Sequence, residues 1–206
     1  MLELYYAPGS CALASHIALR EAGAEFTLRL VDFASNEQRT PEYHGVNPKG
    51  RVPALATERG VLTENPAILA FIAQSFPEAQ LAPLADPFEF ARMQAFNSYM
   101  CATVHVAHAH GRRAERWADD EQARAELRRK APENMADCFA LIEQRMFTGP
   151  WVLGDAFSVA DAYLFTLSGW LRYNDIDVAD FPAVNDHRAR MRERPAVQAA
   201  LAAERG

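Results

Sequence analysis

Lysine is scarce in this 206-residue chain, with two residues against nineteen arginines. No Lys-rich tail exists, and a formal net charge of −6 argues against general nucleic-acid binding. Cysteine is equally thin. Cys11, Cys101 and Cys138 are odd in number and far apart, which excludes a disulfide framework or a zinc ribbon and fits a reducing, cytoplasmic setting. No apolar run approaches the roughly 18 residues of a membrane span. The N-terminus has no basic region followed by an apolar stretch, so no signal peptide is expected. Internal repeats and low-complexity tracts are also missing. What is present, 50% hydrophobic and 23% charged residues, excludes disorder and suits one large or two small globular domains.

The first 75 or so residues alternate between strand and helix signals. Leu2-Glu3-Leu4-Tyr5-Tyr6 reads as a strand, Ala7-Pro8-Gly9-Ser10 as a turn, and Cys11 to Gly23 as an amphipathic helix. Phe26 to Phe33 reads as a second strand, and Ala34 to Arg51 as a polar loop. Thr57-Glu58-Arg59-Gly60 lies between two short apolar runs as a hairpin turn, and a helix follows from about Asn65. The order β-α-β-loop-β-β-α implies one small sheet of mixed pairing. Prolines then cluster between Phe76 and Pro87. Beyond them the signals are helical: Phe88–Trp117, Glu121–Met146, Ser158–Tyr173, Asn185–Arg192 and a last short turn after Pro195. The expected plan is an α/β domain over residues 1–78, a linker over 79–87, and an all-α domain over 88–206. Within it, Ser158 and Asp161 have the spacing of a capping box, with Phe157 placed to pack on Ala162; this is a folding signal without a catalytic role.

Cys11 carries the first chemical signal. At the head of a helix, unpaired N–H groups and the positive dipole end favour a thiolate, which predicts a lowered thiol pKa. The competing reading is a small buried apolar side chain, which is also the reading for Cys101 and Cys138. Ala14 occupies the position of the second thiol in a C-x-x-C pair, so an internal dithiol cycle is excluded and an external thiol is needed, glutathione being the natural candidate. Two segments fit a thiol peptide. Pro53, opening a strand, suits a cis bond that leaves Val52 free to pair with an extended peptide; an ordinary strand-opening proline is the alternative. In Thr63-Glu64-Asn65-Pro66, Asn65 suits a helix N-cap and Pro66 the first helical position. That helix end can receive a carboxylate, and Glu64 an ammonium; simple capping is the alternative.

Three stretches, Tyr5-Tyr6-Ala7-Pro8-Gly9-Ser10-Cys11 through Glu21, Asn47-Pro48-Lys49-Gly50-Arg51-Val52-Pro53-Ala54-Leu55, and Leu62-Thr63-Glu64-Asn65-Pro66-Ala67-Ile68, together resemble bacterial glutathione S-transferases of the beta class. Phe157-Ser158-Val159-Ala160-Asp161-Ala162-Tyr163 resembles the helix-opening motif of that superfamily's second domain. The resemblance implies a thioredoxin-like domain followed by a helical bundle, a homodimer, glutathione as co-substrate, no metal, and a detoxifying transferase for small hydrophobic electrophiles. It also implies that Cys11 faces the glutathione sulfur, that Val52 pairs with the cysteinyl backbone beside a cis Pro53, and that Glu64 and Asn65 hold the γ-glutamyl end. Asn65 stands where Ser or Gly is commoner. Asn36 stands where members often carry a Lys near the glycyl carboxylate.

His105, His108 and His110 follow on one helical run. His105 and His108 can share a face, and no carboxylate or thiol lies at convincing metal-ligand spacing. By resemblance His105 points at Cys11, with His108 as second choice. Arg112, Arg113 and Arg116 read as a solvated face balanced by Glu115, Asp119 and Asp120, or as an aid to an acidic co-substrate. Two chemistries are open. In conjugation, Ser10, Cys11 and His105 stabilise a glutathione thiolate, with Tyr6 as a third donor unless it is core. In thiol exchange, Cys11 is itself the nucleophile. A non-catalytic binding or partner protein on the same fold is the alternative from another class.

Overall fold

Alternating aromatic and aliphatic residues build strand β1 (Leu2–Tyr6), an interior strand of a four-stranded sheet of order β2-β1-β3-β4. The computed structural model describes residues 1–204; Arg205 and Gly206, the end of the expected helical domain, lie outside the described residues. Strand β2 (Phe26–Leu30) runs parallel to β1, and β3 (Ala54–Thr57) runs antiparallel to both β1 and β4 (Gly60–Thr63). The mixed sheet is thus the expected one, but β2 stops short of Phe33. Val31 keeps a single hydrogen bond to the Tyr6 carbonyl at 2.8 Å, and the Asp32 carboxylate then accepts the Ala34 N–H at 2.9 Å, turning the chain away.

Helix α1 (Ala12–Glu21) joins β1 to β2. The polar stretch read as loop contains a further short helix, α2 (Pro41–Val46). Its signal is local: the Thr40 hydroxyl accepts the Tyr43 N–H at 3.2 Å, and Pro41 occupies the first turn. Helix α3 (Asn65–Ser75) closes the thioredoxin-like half. The Pro-rich segment after it is docked, since Leu81 is buried and its carbonyl accepts the Val159 N–H at 2.9 Å.

The second half is helical. Helix α4 (Pro87–Tyr99) continues through a π-helical turn, Met100–Val104, into α5 (His105–Arg112). The run ends five residues before Trp117, and a 3₁₀ turn covers Ala114–Arg116. Helix α6 (Glu121–Leu141) is capped by Asp120 and also ends in a π-helical turn, Ile142–Met146. Helix α7 (Val159–Ser168) is buried at all ten positions, so it is the central helix of this half. Helix α8 (Pro182–Glu193) starts earlier than the periodicity implied, because Pro182 suits a first turn. The expected short turn after Pro195 is a full helix, α9 (Pro195–Ala203), whose Val197 and Ala200 are buried.

Helix α1 knits the halves together. Its Leu13 and Ile17 share one apolar cluster with Ala162 and Phe165 of α7, Met191 of α8 and Val197 and Ala200 of α9. Phe157 packs against that cluster, as the capping motif implied. The capping box is present, with the Ser158 N–H donating to Asp161 at 2.8 Å. Asp161 does more than cap. It is fully buried and also accepts the Val152 N–H at 2.8 Å and meets His187 Nε2 at 3.1 Å.

Asp161→Ala would therefore leave several buried partners unpaired at once. It is expected to lower unfolding stability by about 3–5 kcal/mol. A urea midpoint within experimental error of the unaltered protein would remove Asp161 from the centre of this network.

Candidate active site

A cleft of about 380 Å³ opens between the sheet half and the helical half, with Ser10, Cys11, Val52, Pro53, Glu64, Asn65 and His105 all on its walls. Its floor begins at the turn after β1. Gly9 has φ +69°, a left-handed conformation that glycine adopts without strain. The turn is braced from two sides: the Trp170 indole N–H donates to the Gly9 carbonyl at 3.1 Å, and the Gly9 N–H donates to Glu204 at 3.1 Å. Ser10 caps α1, its hydroxyl oxygen accepting the Ala12 N–H at 3.2 Å.

Cys11 is the residue before α1 rather than its first turn, and it is buried. The expected acidic thiol is not what this environment makes. Burial pushes its pKa up to about 12, against the opposing pull of its own backbone N–H and of Arg113 and Arg51. The free N–H groups of the helix end, which the expectation relied on, are largely committed: Ala12 to the Ser10 hydroxyl, Leu13 to the Ser10 carbonyl, Ala14 to the Cys11 carbonyl. The protonated thiol instead donates to the Val52 carbonyl at 3.5 Å.

The Val52–Pro53 bond is cis, as the strand-opening proline implied. Among the described residues the Val52 N–H has no hydrogen-bond partner, and its carbonyl holds only the weak thiol contact. The preceding carbonyl, of Arg51, is clamped by the Tyr43 hydroxyl at 2.7 Å and the Asn47 amide at 2.6 Å. Gly50 permits the approach of this loop to its neighbour, because a Cβ there would fall 2.8 Å from the Gln38 carbonyl and φ is +60°. Tyr43 and Asn47 are positioning residues that sequence reasoning missed.

The cap position expected of Asn65 falls instead on the backbone of Glu64. Glu64 is the residue before α3 and has φ +71°, a strained value for a side chain with a Cβ. Its carboxylate is exposed and bonds Lys49 Nζ at 2.5 Å. Asn65 is not an N-cap. It is buried as the first helical residue, its amide donating to the Cys11 carbonyl at 2.7 Å and its oxygen accepting from the Ser15 hydroxyl at 2.6 Å. It ties α3 to the head of α1, and its side chain has little left for a ligand. The Asn65 backbone N–H remains without a partner among the described residues.

The helical wall carries the histidines. His105 meets Trp170 edge-on at 4.9 Å between ring centroids, and His108 stacks on the same indole at 4.6 Å while its Nδ1 meets the Asn174 amide at 3.0 Å. Burial, then neighbouring arginines in the case of His105, pushes both down to about 4, so both are neutral near pH 7. Among the described residues there is no group of three metal-ligating side chains, and no hydrogen bond joins His105 to Cys11. Cys138 is buried as expected, but Cys101, within the π-helical turn, is half-buried and lines the cleft. Tyr6 belongs to a buried cluster with Ala12, Val31 and Val52, which is the core reading.

Asn36 lies exposed and outside the cleft lining. The cleft instead carries Arg39 and Arg51 on the sheet side and Arg112, Arg113 and Arg116 on the helical side. The expected balance of the last three by Glu115, Asp119 and Asp120 does not form among the described residues; Arg112 lies over Tyr173 and Arg113 over Phe33. Trp170, Tyr163 and Tyr173 complete the walls. None was singled out from the sequence, although Tyr163 sits within the capping motif and Trp170 follows its helix.

The glutathione S-transferase N-terminal domain family matches residues 1–74, and the C-terminal domain family matches residues 91–195. The chain is 35% identical to glutathione S-transferase GstA of Escherichia coli O157:H7, over 98% of each chain. A glutathione transferase homologue from Sulfitobacter, solved with bound glutathione, is 41% identical, covers 97% of this chain and 96% of its own, and superimposes with a TM-score of 0.94. A beta-class glutathione S-transferase of Sphingomonas chungbukensis is 36% identical over 98% of each chain, with a TM-score of 0.85.

A thiol raised to about 12 holds little thiolate at neutral pH. Carbamidomethylation of Cys11 in the ligand-free protein, followed by peptide mass spectrometry, is expected to accelerate with pH without reaching a midpoint below the free-thiol reference of about 8.5. A midpoint under that reference would show that the helix end overrides burial.

Proposed function

The chain belongs to the glutathione S-transferase family, and from that premise we propose that it is a beta-class enzyme joining glutathione to small hydrophobic electrophiles. We further propose that it works as a cytoplasmic homodimer in detoxification. The observation that carries the reading is Val52: a free N–H and a nearly free carbonyl, held rigidly beside the cis bond to Pro53 and against the Cys11 sulfur. An extended peptide with a central cysteine can pair there as an added strand. Its γ-glutamyl end then lies at the head of α3. The ammonium is received by Glu64 and the α-carboxylate by the unpaired Asn65 backbone N–H. The glycyl carboxylate falls to Arg39 and Arg51, which share the wall of Val52 and stand in for the Lys missing at Asn36.

In this arrangement glutathione attacks as its thiolate: a carbon–sulfur bond forms, the leaving group departs, and the thiol proton goes to solvent. Stabilising that thiolate needs donors in a water-poor site. Ser10 keeps a hydroxyl proton to give. Cys11, protonated by its burial, becomes a donor once the ligand N–H takes over the Val52 carbonyl. His105, neutral, can donate without adding charge. Thiol exchange through Cys11 is the second chemistry, and the same burial works against it, because exchange requires the thiolate.

Retention on immobilised glutathione and turnover of a neutral aryl chloride separate an enzyme from a non-catalytic binder. Glu64→Ala is expected to weaken glutathione binding by about 1.5 kcal/mol, roughly tenfold, an exposed ion pair shared with Lys49 being worth less than a buried one. An unchanged dissociation constant would remove the assigned γ-glutamyl site. Cys11→Ala should lower conjugation by less than about tenfold while abolishing any disulfide reduction, since only exchange needs a covalent bond to this sulfur. Loss of both activities together would mean that Cys11 organises the bound ligand. Sedimentation of a stable species of 22.9 kDa at micromolar concentration would exclude the dimer.

A further inference from the structure

Five arginines, from sequence-distant segments, line one cleft, and none of their guanidinium groups has an ion pair or hydrogen bond to the protein among the described residues. On the outer faces Arg92, Arg128 and Arg129 each hold a glutamate; Arg39, Arg51, Arg112 and Arg116, equally exposed at the cleft, hold none among the described residues. Among the described residues the only carboxylate lining the cleft, that of Glu64, is engaged by Lys49. These arginines also sense one another: Arg116 is pushed down by burial and then by Arg113, Arg51 and Arg39. Concentrating unpaired positive charge destabilises a protein unless a ligand relieves it.

Glutathione, with one glycyl carboxylate left to satisfy, accounts for Arg39 and Arg51. It does not account for Arg112, Arg113 and Arg116 on the opposite wall, where the second substrate must sit. Apolar surface lies beside them: Trp170, Tyr173, Phe33 and the half-exposed Trp117. We infer that the electrophile taken by this cleft is an apolar, aromatic-sized body bearing a carboxylate or comparable compact anion, which Arg112, Arg113 and Arg116 hold. The inference rests on the glutathione reading above and narrows it. The guanidinium fork suits a carboxylate, and the aromatic faces suit the remainder of the molecule.

The test uses 4-chloro-3,5-dinitrobenzoate and the uncharged 4-chloro-3,5-dinitrobenzamide. In each, the glutathione sulfur displaces chloride from the ring carbon, the thiol proton passing to solvent. Dissociation constants of the two glutathione conjugates are measured by calorimetry on the full chain, together with that of glutathione alone. The benzoate conjugate is expected to bind at least about tenfold more tightly than the benzamide conjugate, in proportion to a charge-assisted contact. In Arg112→Gln/Arg113→Gln/Arg116→Gln that gap should close, with glutathione itself bound as before. Arg116→Gln alone should close part of it. Equal affinity of the two conjugates for the unaltered protein overturns the inference and leaves the glutathione reading intact. So does a triple variant that loses glutathione affinity without losing the gap, since the arginines would then serve glutathione. Failure of glutathione and both conjugates to bind the unaltered protein overturns the glutathione reading and the inference with it.

Discussion

Eight consecutive residues at the head of α1, Ala12 to Leu19, are buried, and the site is arranged around that constraint. The sheet lies on one side of the helix, and α3, α7 and α9 cover the others. A helix without a solvent face must satisfy its polar side chains internally. Ser15 does so through Asn65, and His16 through Arg20 at 2.9 Å and Glu204 at 3.3 Å. The same covering that stabilises α1 withdraws Cys11 from water. The Cys11 backbone N–H and the desolvation of a charge oppose each other at this sulfur, and desolvation is the larger.

The cleft keeps Cys11, His105 and His108 uncharged and carries its positive charge on arginine. His105 and His108 are neutral for the reason Cys11 is protonated: each is removed from water, and the guanidinium groups around them add to the cost of a further cation. Arginine is suited to this role because it does not surrender its proton under such conditions. The walls therefore differ in kind. One offers backbone groups and a helix end to a peptide, and the other offers aromatic faces edged with guanidinium.

Much of this was legible in the residues, and the exceptions share a cause. The succession of strands and helices in the first half, the cis Pro53 and the Ser158–Asp161 box are local features, written in residue types a few positions apart. Asn65 was misplaced as a helix cap because its side chain is taken by Ser15 and the Cys11 carbonyl, some 50 residues away. The thiol pKa was misjudged in the same way: the helix end is visible in Pro8-Gly9-Ser10-Cys11, whereas the burial that overrides it is set by residues remote in sequence, Val52 among them. Arg112, Arg113 and Arg116 read as a solvated face, and Arg112 and Arg116 are exposed, but that face lines the cleft, and Asp120, one of the acids expected to balance it, is spent capping α6. Thr40-Pro41, by contrast, carried a helix start that the polarity of its surroundings obscured. Trp170 could not have been placed from sequence, since its partner Gly9 lies 161 positions earlier.

The braces on the Pro8-Gly9-Ser10 turn have a consequence for how the protein is made. Glu204 reaches Gly9 across 195 positions and also holds His16. Contacts so remote in sequence form late, after the loop-closure entropy between them has been overcome. Synthesis proceeds from the N-terminus, so the sheet half can assemble on the ribosome while its active-site turn still lacks Trp170 on one side and Glu204 on the other. The nascent thioredoxin-like half thus carries Ser10, Cys11 and Val52 before the turn beside them is braced. The docking of α9 brings Glu204 to Gly9 and His16 and completes the bracing of the turn.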